Sequence, residues 1–327
     1  MKIENADRGT RHIAAGILQR LAGLMASVVF LCVHSKGTAW ADTAGWPQLQ
    51  FDPQYSAFNE AGLLRVPLEL AWSANVSSEA WSSASAVAAD GRVFIGTAGG
   101  ELLALESASG QVLWRYAARG AVYLAPAVVP GKVVFGSAEG RLAALDPATG
   151  DELWSFDVGS NIHASPNISD GKVFFAANDG KAYALDLGSG RLVWSRDLGE
   201  GAQAGGYLLA SPALDEARIY FSSLDGRVFA IDRNTGAIIW QVQLPGPIRF
   251  APSVSDGRVY LGSHDGVLRS INALTGTVLW SFTVGVPIAD GLAVSSTTVY
   301  VASKDGKLRA LTKAAGGLLW EFDAHSS

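Results

Sequence analysis

The sequence contains little cysteine and little histidine. Its only cysteine is Cys32, and it has five histidines in 327 residues. Beyond residue 41 the histidines are His163, His264 and His325, which are far apart in the chain. This composition excludes a disulfide framework, and the spacing indicates no cluster of the thiolate and imidazole ligands that hold zinc.

Sequence motifs of several enzyme classes are also missing. There is no His-Glu-x-x-His, no Gly-x-Ser-x-Gly, no Cys-x-x-Cys and no phosphate-binding glycine loop followed by a helix. These motifs would place a metal ligand pair, an acyl nucleophile, a redox pair or a nucleotide phosphate. Their absence argues against the corresponding hydrolases, oxidoreductases and nucleotide-binding enzymes.

Long apolar runs are confined to the amino terminus. Four basic side chains precede an uncharged apolar run over residues 21–33, and a small-residue stretch then ends at Ala41. This order predicts a signal peptide over residues 1–41, because the run is shorter than the roughly 20 residues that a membrane helix needs. We expect cleavage after Ala41 and a periplasmic or secreted protein. Leu31 precedes Cys32 where lipoprotein signals carry a small residue, so we do not expect a lipoprotein.

Basic charge is scarce beyond the predicted cleavage site. Removing the five Lys/Arg and two Asp/Glu of residues 1–41 from the totals of 25 and 30 leaves 20 basic and 28 acidic groups, a net charge of −8. Such a chain has no overall attraction for phosphate backbones or anionic lipids, so we expect no binding to nucleic acid. No segment after residue 41 predicts a transmembrane helix.

The prominent feature of the sequence is a repeat. Tryptophans recur at intervals of 40, 40, 46, 40 and 40 residues, and each follows a glycine by four positions. The tryptophans are Trp114, Trp154, Trp194, Trp240, Trp280 and Trp320, and the glycines are Gly110, Gly150, Gly190, Gly236, Gly276 and Gly316. We call them docking tryptophans and docking glycines. Short apolar runs separated by Asp-Gly turns fill each interval, which predicts four antiparallel strands per unit and an all-β propeller.

The repeat predicts six complete blades over residues 66–323, after a lead segment over 42–65 and before a tail over 324–327. An additional strand around Trp72 precedes the first complete blade. Either six blades close the ring and this strand is a redundant flap, or the ring has seven blades and the last is incomplete. We favour the six-bladed ring.

These residues resemble the repeat of the pyrroloquinoline-quinone (PQQ) enzyme family, whose docking motif is Ala-x-Asp-x-x-x-Gly-x-x-x-Trp. The unit with Ala184, Asp186, Gly190 and Trp194 matches it fully. The units of Asp146 and Asp232 also match, whereas Glu106, Asn272 and Thr312 replace the aspartate and Ser270 replaces an alanine. The family includes both PQQ-dependent dehydrogenases and non-enzymatic propellers, so the motif alone does not decide the activity.

The resemblance to the dehydrogenases does not extend to their cofactor ligands. Those enzymes hold Ca²⁺ with carboxylate and amide oxygens beside the quinone, and often add a cysteine pair. Residues 42–327 contain no cysteine, and their recurring aspartates lie in turns, where hydrogen bonds to the local backbone account for them. We expect no catalytic residues, no cofactor and no metal. A less favoured alternative is a PQQ-dependent dehydrogenase.

In function the chain looks most similar to the periplasmic propeller subunit of the outer-membrane β-barrel assembly machinery. That subunit is a scaffold that binds protein partners through loops on one face. The resemblance implies a non-catalytic periplasmic scaffold that binds protein partners in outer-membrane protein assembly. An exported ligand-binding or signalling propeller is the alternative.

Candidate partner-binding residues follow from strand parity. With four antiparallel strands per blade, the loops between blades share one face with the turns between second and third strands. The single expansion of the repeat, residues 199–208, falls on this face and is rich in glycine. Equivalent loop positions hold Tyr123, His163, Leu209 and Arg249, and Trp81 and His264 lie nearby in the repeat. Aromatic, histidine and arginine side chains suit a recognition surface. The alternative is that these residues only plug the mouth of the propeller's central channel.

Overall fold

The computed structural model describes residues 70–76, 85–199 and 210–324, without the side chains of residues 289 and 290. The described residues form six four-stranded antiparallel sheets, and each sheet consists of four consecutive strands. The predicted all-β fold with six complete blades is therefore confirmed. The described residues contain no helix of the length and apolarity that a membrane crossing requires.

The strands have the following bounds. Blade 1 contains β1 (Val87–Ala89), β2 (Arg92–Gly96), β3 (Glu101–Glu106) and β4 (Val112–Ala117). Blade 2 contains β5 (Ala127–Val129), β6 (Lys132–Gly136), β7 (Arg141–Leu145) and β8 (Glu152–Asp157). Blade 3 contains β9 (Asn167–Ser169), β10 (Lys172–Ala176), β11 (Lys181–Asp186) and β12 (Leu192–Asp197). Blade 4 contains β13 (Ala213–Leu214), β14 (Arg218–Ser222), β15 (Arg227–Asp232) and β16 (Ile238–Gln243). Blade 5 contains β17 (Ser253–Ser255), β18 (Arg258–Gly262), β19 (Val267–Asn272) and β20 (Val278–Thr283). Blade 6 contains β21 (Ile288–Val294), β22 (Thr298–Ser303), β23 (Lys307–Thr312) and β24 (Leu318–Asp323).

Two-residue turns fix the register between the first and second strands. In blade 1 the turn residues Asp90 and Gly91 have φ angles of 49° and 70°. Two consecutive positive φ angles are typical of the type I′ turn, whose twist matches that of a hairpin. The turn pairs Ala89 with Arg92, and so sets which side chains of β1 and β2 share a face.

Each docking tryptophan of blades 1 to 5 packs against the docking glycine of the next blade. The ring of Trp194 lies so close to Gly236 that a Cβ on this glycine would come within 2.7 Å of the ring carbon Cδ2. The indole Nε1 of Trp194 also donates a hydrogen bond of 3.1 Å to the carbonyl of Arg233. The other four pairs are Trp114 with Gly150, Trp154 with Gly190, Trp240 with Gly276 and Trp280 with Gly316. Because Gly236 has a φ of 70°, both its backbone and its neighbour disfavour a side chain.

The motif aspartates support the turns that carry these glycines. Asp146 Oδ1 accepts hydrogen bonds from the backbone N–H groups of Ala148 at 2.7 Å and Thr149 at 3.1 Å. Asn272 makes the equivalent bonds in blade 5, starting with the N–H of Leu274 at 2.8 Å. These are Asx turns, in which the side-chain oxygen satisfies the local backbone.

The hydrophobic core lies between neighbouring blades. At the junction of blades 5 and 6, Tyr260 and Leu268 of blade 5 pack with Val299, Val301 and Leu311 of blade 6, and all five are fully buried. In blades 1 to 5, both faces of the second and third strands are covered in this way. This explains their nearly continuous apolar sequences.

The two ends of the series of blades differ. Trp72 packs against Gly110 of blade 1 and donates a hydrogen bond of 2.8 Å to the carbonyl of Ser107. The segment 70–76 therefore provides the docking tryptophan of blade 1 and is not a redundant flap. At the other end Trp320 is 44% exposed and has no docking glycine among the described residues.

We predict that Trp194→Ala destabilises the protein by about 3–5 kcal/mol, because it removes a large side chain from a close-packed junction. Chemical denaturation followed by circular dichroism measures this loss. The matched control is Trp320→Ala, which truncates the same strand position where the ring is 44% rather than 8% exposed. We expect a clearly smaller loss in the control, and equal losses in both variants would contradict the proposed role of docking.

Candidate functional site

The loops between blades and the turns between second and third strands meet on one face. We call this the loop face; its described parts are the loops 118–126, 158–166, 244–252 and 284–287 and the turns 97–100, 137–140, 177–180, 223–226, 263–266 and 304–306. Val122 N donates a hydrogen bond of 2.9 Å to the carbonyl of Thr97. Ala138 N donates one of 2.8 Å to the carbonyl of Ala121. The loop between blades 1 and 2 is thus fixed by the turns of both blades.

Tyr123 and His163 form a stacked pair on the loop face. They occupy equivalent positions in successive loops, and their ring centroids are 5.7 Å apart with an interplanar angle of 13°. Asn161 Nδ2 lies 3.4 Å from His163 Nε2. Burial lowers the pKa of His163, which favours the neutral imidazole at neutral pH. The pair presents a flat aromatic surface with polar edges.

Arg249, His264 and Lys304 form a basic cluster on the same face. Arg249 and Lys304 are exposed, and His264 is half-buried in the turn 263–266. Burial, followed by the positive charges of Arg249 and Lys304, lowers the pKa of His264. Neither Arg249 nor Lys304 takes part in the ion pairs that the described residues form.

The aspartates of the neighbouring turns do not neutralise this cluster, because each pairs with an arginine of its own blade. Asp265 Oδ2 lies 2.5 Å from Arg269 Nη2, and Asp305 Oδ2 lies 2.6 Å from Arg309 Nη2. Burial raises the pKa of Asp265, but the hydrogen bond from Arg269 and its other partners outweigh this, and the net pKa is lowered. The hydrogen bond from Arg309 lowers the pKa of Asp305. These two aspartates therefore do not offset the positive charges of Arg249 and Lys304.

The structure thus brings the predicted residues together as two groups, Tyr123 with His163 and Arg249 with His264. Trp81, Leu209 and residues 200–208 of the expanded loop lie outside the described residues, as does the predicted signal peptide. The sequence prediction missed Lys304, which contributes to the basic cluster. Aligning the turns reveals it, because Lys304 follows His264 by one repeat of 40 residues.

The described residues show no constellation suited to metal chemistry. Nowhere among them do three or more His, Cys, Asp or Glu side chains come together in a group that could hold a metal ion. The motif carboxylates instead bind backbone N–H groups, as Asp232 does with Asn234 at 3.0 Å and Thr235 at 2.8 Å. The chemistry that the loop face offers is recognition by stacking, hydrogen bonding and positive charge.

Comparisons with known proteins identify relatives of this fold. A family model described as outer membrane protein assembly factor BamB matches residues 69–208 and 184–327. The crystal structure of BamB from Moraxella catarrhalis is similar, with a TM-score of 0.67 and 22% identity over 78% of this chain and 77% of that one. A quinohemoprotein alcohol dehydrogenase from Pseudomonas putida HK5 has a TM-score of 0.64 and 16% identity over 86% of this chain and 72% of that one. No curated protein sequence matches the chain. At such identities the structural similarities show the fold alone.

We predict that acidification destabilises residues 42–327 partly through His163. Its folded pKa is lowered, so the unfolded chain binds the extra proton more readily. Stability is therefore highest above the ordinary histidine pKa of about 6.5 and falls as the pH decreases through it. Urea denaturation at about pH 7.5 and about pH 5.5, on either side of that pKa, measures the difference, and His163→Gln should reduce it.

A matched control for the pH experiment is Glu152→Gln. Bonds from Tyr116 and Arg141 outweigh burial and lower the pKa of Glu152 to about 2, so this carboxylate does not titrate between those two pH values. We expect Glu152→Gln to lower stability equally at both pH values. A pH dependence that His163→Gln leaves unchanged would contradict a buried neutral histidine.

Proposed function

The chain belongs to the family of the outer membrane protein assembly factor BamB, and we propose that it is a non-catalytic scaffold that binds protein partners through its loop face. The observation that carries this proposal is the basic cluster, in which Arg249 and Lys304 are exposed and take part in none of the ion pairs that the described residues form. The stacked pair of Tyr123 and His163 lies on the same loop face. The partners we propose are components of outer-membrane protein assembly.

The proposal includes export to the periplasm. Residues 1–41 have the order of a signal peptide, and we place cleavage after Ala41. The exported chain would then consist of the lead segment 42–65, the propeller 66–323 and the tail 324–327. Its first described segment, 70–76, belongs to the propeller because Trp72 packs on blade 1.

A loop face of this kind is suited to binding with little ordering cost. Hydrogen bonds such as that from His264 N to the carbonyl of Pro247, at 2.9 Å, hold the loops before any partner arrives. Preorganised loops lose little conformational entropy on binding. Tyrosine and arginine are the residue types that dominate binding energy at interfaces, and the positive cluster favours an acidic partner surface.

A second candidate function is oxidation by a PQQ-dependent enzyme, because the fold is similar to that of a quinohemoprotein alcohol dehydrogenase. The use of the motif carboxylates as turn acceptors supports the scaffold instead. Asp186 accepts hydrogen bonds from the N–H and hydroxyl of Ser189 at 2.8 Å and 2.6 Å, so its oxygens serve the turn. A ligand-binding or signalling propeller would use the same loop face with a smaller partner.

We predict that Tyr123→Ala and Arg249→Ala each weaken binding of outer-membrane assembly components by about 5- to 30-fold, the effect of about 1–2 kcal/mol at an interface. The measurement is retention of these components from an envelope extract on immobilised residues 42–327, followed by titration of the purified partner. Arg191→Ala is the matched control, because Arg191 is exposed in the turn between the third and fourth strands of blade 3. Unaltered affinity in both loop-face variants would place the interface elsewhere.

We also predict that residues 42–327 neither bind PQQ with Ca²⁺ at micromolar concentration nor oxidise alcohols with it. Isothermal titration calorimetry tests the binding, and dye-coupled alcohol oxidation tests the activity. The control is the same assay with PQQ alone and with Ca²⁺ alone. Alcohol oxidation that requires both PQQ and Ca²⁺ would contradict the proposed scaffold function and support the dehydrogenase function.

A further inference from the structure

Backbone contacts on the loop face bring Arg249 next to His264. His264 N donates a hydrogen bond of 2.9 Å to the carbonyl of Pro247, two residues before Arg249. A Cβ on Gly246 would lie 2.9 Å from the backbone nitrogen of Asp265, so this loop and the turn of His264 are in direct contact. The two basic residues therefore come from backbone segments that are already fixed against each other.

The same kind of contact connects the turn of His264 with Lys304. Val284 N donates a hydrogen bond of 2.8 Å to the carbonyl of Gly266, and Lys304 N donates one of 3.2 Å to the carbonyl of Pro287. The loop after blade 5 thus links the two turns. Lys304 is exposed and His264 is half-buried, so the cluster combines surface charge with a partly desolvated imidazole.

The electrostatic surroundings of His264 show that the three side chains influence one another. Burial lowers the pKa of His264, and the positive charges of Arg249 and Lys304 lower it further. At neutral pH this favours the neutral imidazole. The cluster therefore consists of two permanent positive charges and one group that can take up a proton.

The acidic side chains around the cluster are already engaged. Besides the three basic residues, the loops 244–252 and 284–287 and the turns 263–266 and 304–306 contain only two charged or titratable side chains, Asp265 and Asp305. Both of these aspartates, and Asp225 in the neighbouring turn of blade 4, pair with an arginine of their own blade: Asp265 with Arg269 at 2.5 Å, Asp305 with Arg309 at 2.6 Å and Asp225 with Arg227 at 2.7 Å.

These charges favour a compact anion as the ligand. A carboxylate accepts hydrogen bonds from guanidinium, ammonium and imidazole N–H groups, and the cluster offers all three kinds of donor. An extended polyanion fits less well, because residues 42–327 carry a net charge of −8 and aspartates occupy the turns beside the cluster. A short acidic segment of a polypeptide avoids most of this repulsion.

We propose that Arg249, His264 and Lys304 bind an aspartate or glutamate side chain of a partner polypeptide, and that His264 takes up a proton when this carboxylate binds. The inference rests on the proposed function, which is the binding of protein partners through the loop face. A bound carboxylate offsets the positive charges of Arg249 and Lys304 and accepts a hydrogen bond from the imidazolium, so it stabilises protonated His264. By reciprocity, protonation of His264 strengthens binding of the carboxylate.

The first test measures the pH dependence of partner binding. An assembly component retained by immobilised residues 42–327 is purified and titrated at about pH 7.5 and about pH 5.5. We expect affinity about 3- to 10-fold higher at the lower pH, because a rise of about one unit in the pKa of His264 on binding corresponds to a tenfold change. His264→Gln cannot take up the proton and should reduce this ratio to less than about 2-fold.

The matched control is His163→Gln, which removes the other half-buried histidine of the loop face. We expect it to retain the ratio between the two pH values, and circular dichroism verifies that each variant is folded at both. Partner binding without a gain at low pH would overturn this inference and leave the proposed function in place. A gain that His264→Gln does not reduce would have the same consequence.

The second test uses a defined probe in place of the partner. N-acetyl-tetraglutamate amide is added to residues 42–327, and the imidazole resonances of His264, assigned through His264→Gln, are followed by NMR as the pH is varied. We expect the pKa of His264 to rise by at least about 0.5. Arg249→Ala and Lys304→Ala should each reduce this rise, and the uncharged N-acetyl-tetraglutamine amide should cause none.

The outcomes of the probe experiment separate this inference from the proposed function. An unchanged pKa of His264 with the tetraglutamate, or an equal rise with inorganic phosphate at the same ionic strength, would overturn the assignment of a carboxylate site. A rise with the tetraglutamate, while immobilised residues 42–327 retain no assembly component, would support the carboxylate site and contradict the proposed role in outer-membrane assembly.

Discussion

The contact between a docking tryptophan and a docking glycine is the interaction on which the rest of the structure depends. It brings a large aromatic ring against bare backbone, and the indole N–H satisfies a carbonyl at the same point, as Trp154 does with Leu187 at 2.9 Å. A Cβ on the glycine would force the blades apart. Since the inner strands of adjacent blades interdigitate only at the spacing that this contact sets, the outer contact also determines the packing of the core.

This contact is directional, because the tryptophan of one blade always packs on the glycine of the next blade in the chain. The first and last blades therefore differ. Every blade receives a tryptophan on one face and presents its own on the other. Segment 70–76 covers the receiving face of blade 1 through Trp72, whereas no glycine among the described residues docks on Trp320 of blade 6.

The sequence was sufficient to predict the six blades but not the roles of all their residues. Local features determine the blades: the Gly-x-x-x-Trp spacing, the Asp-Gly turns and the short apolar runs occur within each unit. The spacing could not reveal which glycine Trp72 meets, because that contact joins positions 38 residues apart in the chain. Nor could it reveal that Asp265 and Asp305 pair with Arg269 and Arg309 of their own blades, so that they do not offset Arg249 and Lys304.

Differences among equivalent positions of one chain separate packing from recognition. Where blades pack, equivalent positions of the repeat hold the same residue type. One such position in the third strand is alanine in four blades, and all four side chains are fully buried: Ala104, Ala144, Ala184 and Ala230. On the loop face, equivalent positions of the repeat hold Tyr123, His163 and Arg249, although the backbone hydrogen bonds of these loops are alike. Since the local backbone poses the same requirements at each of these positions, folding alone gives no reason for three chemically different side chains. The variation itself therefore supports the loop face as the surface on which this propeller distinguishes its partners.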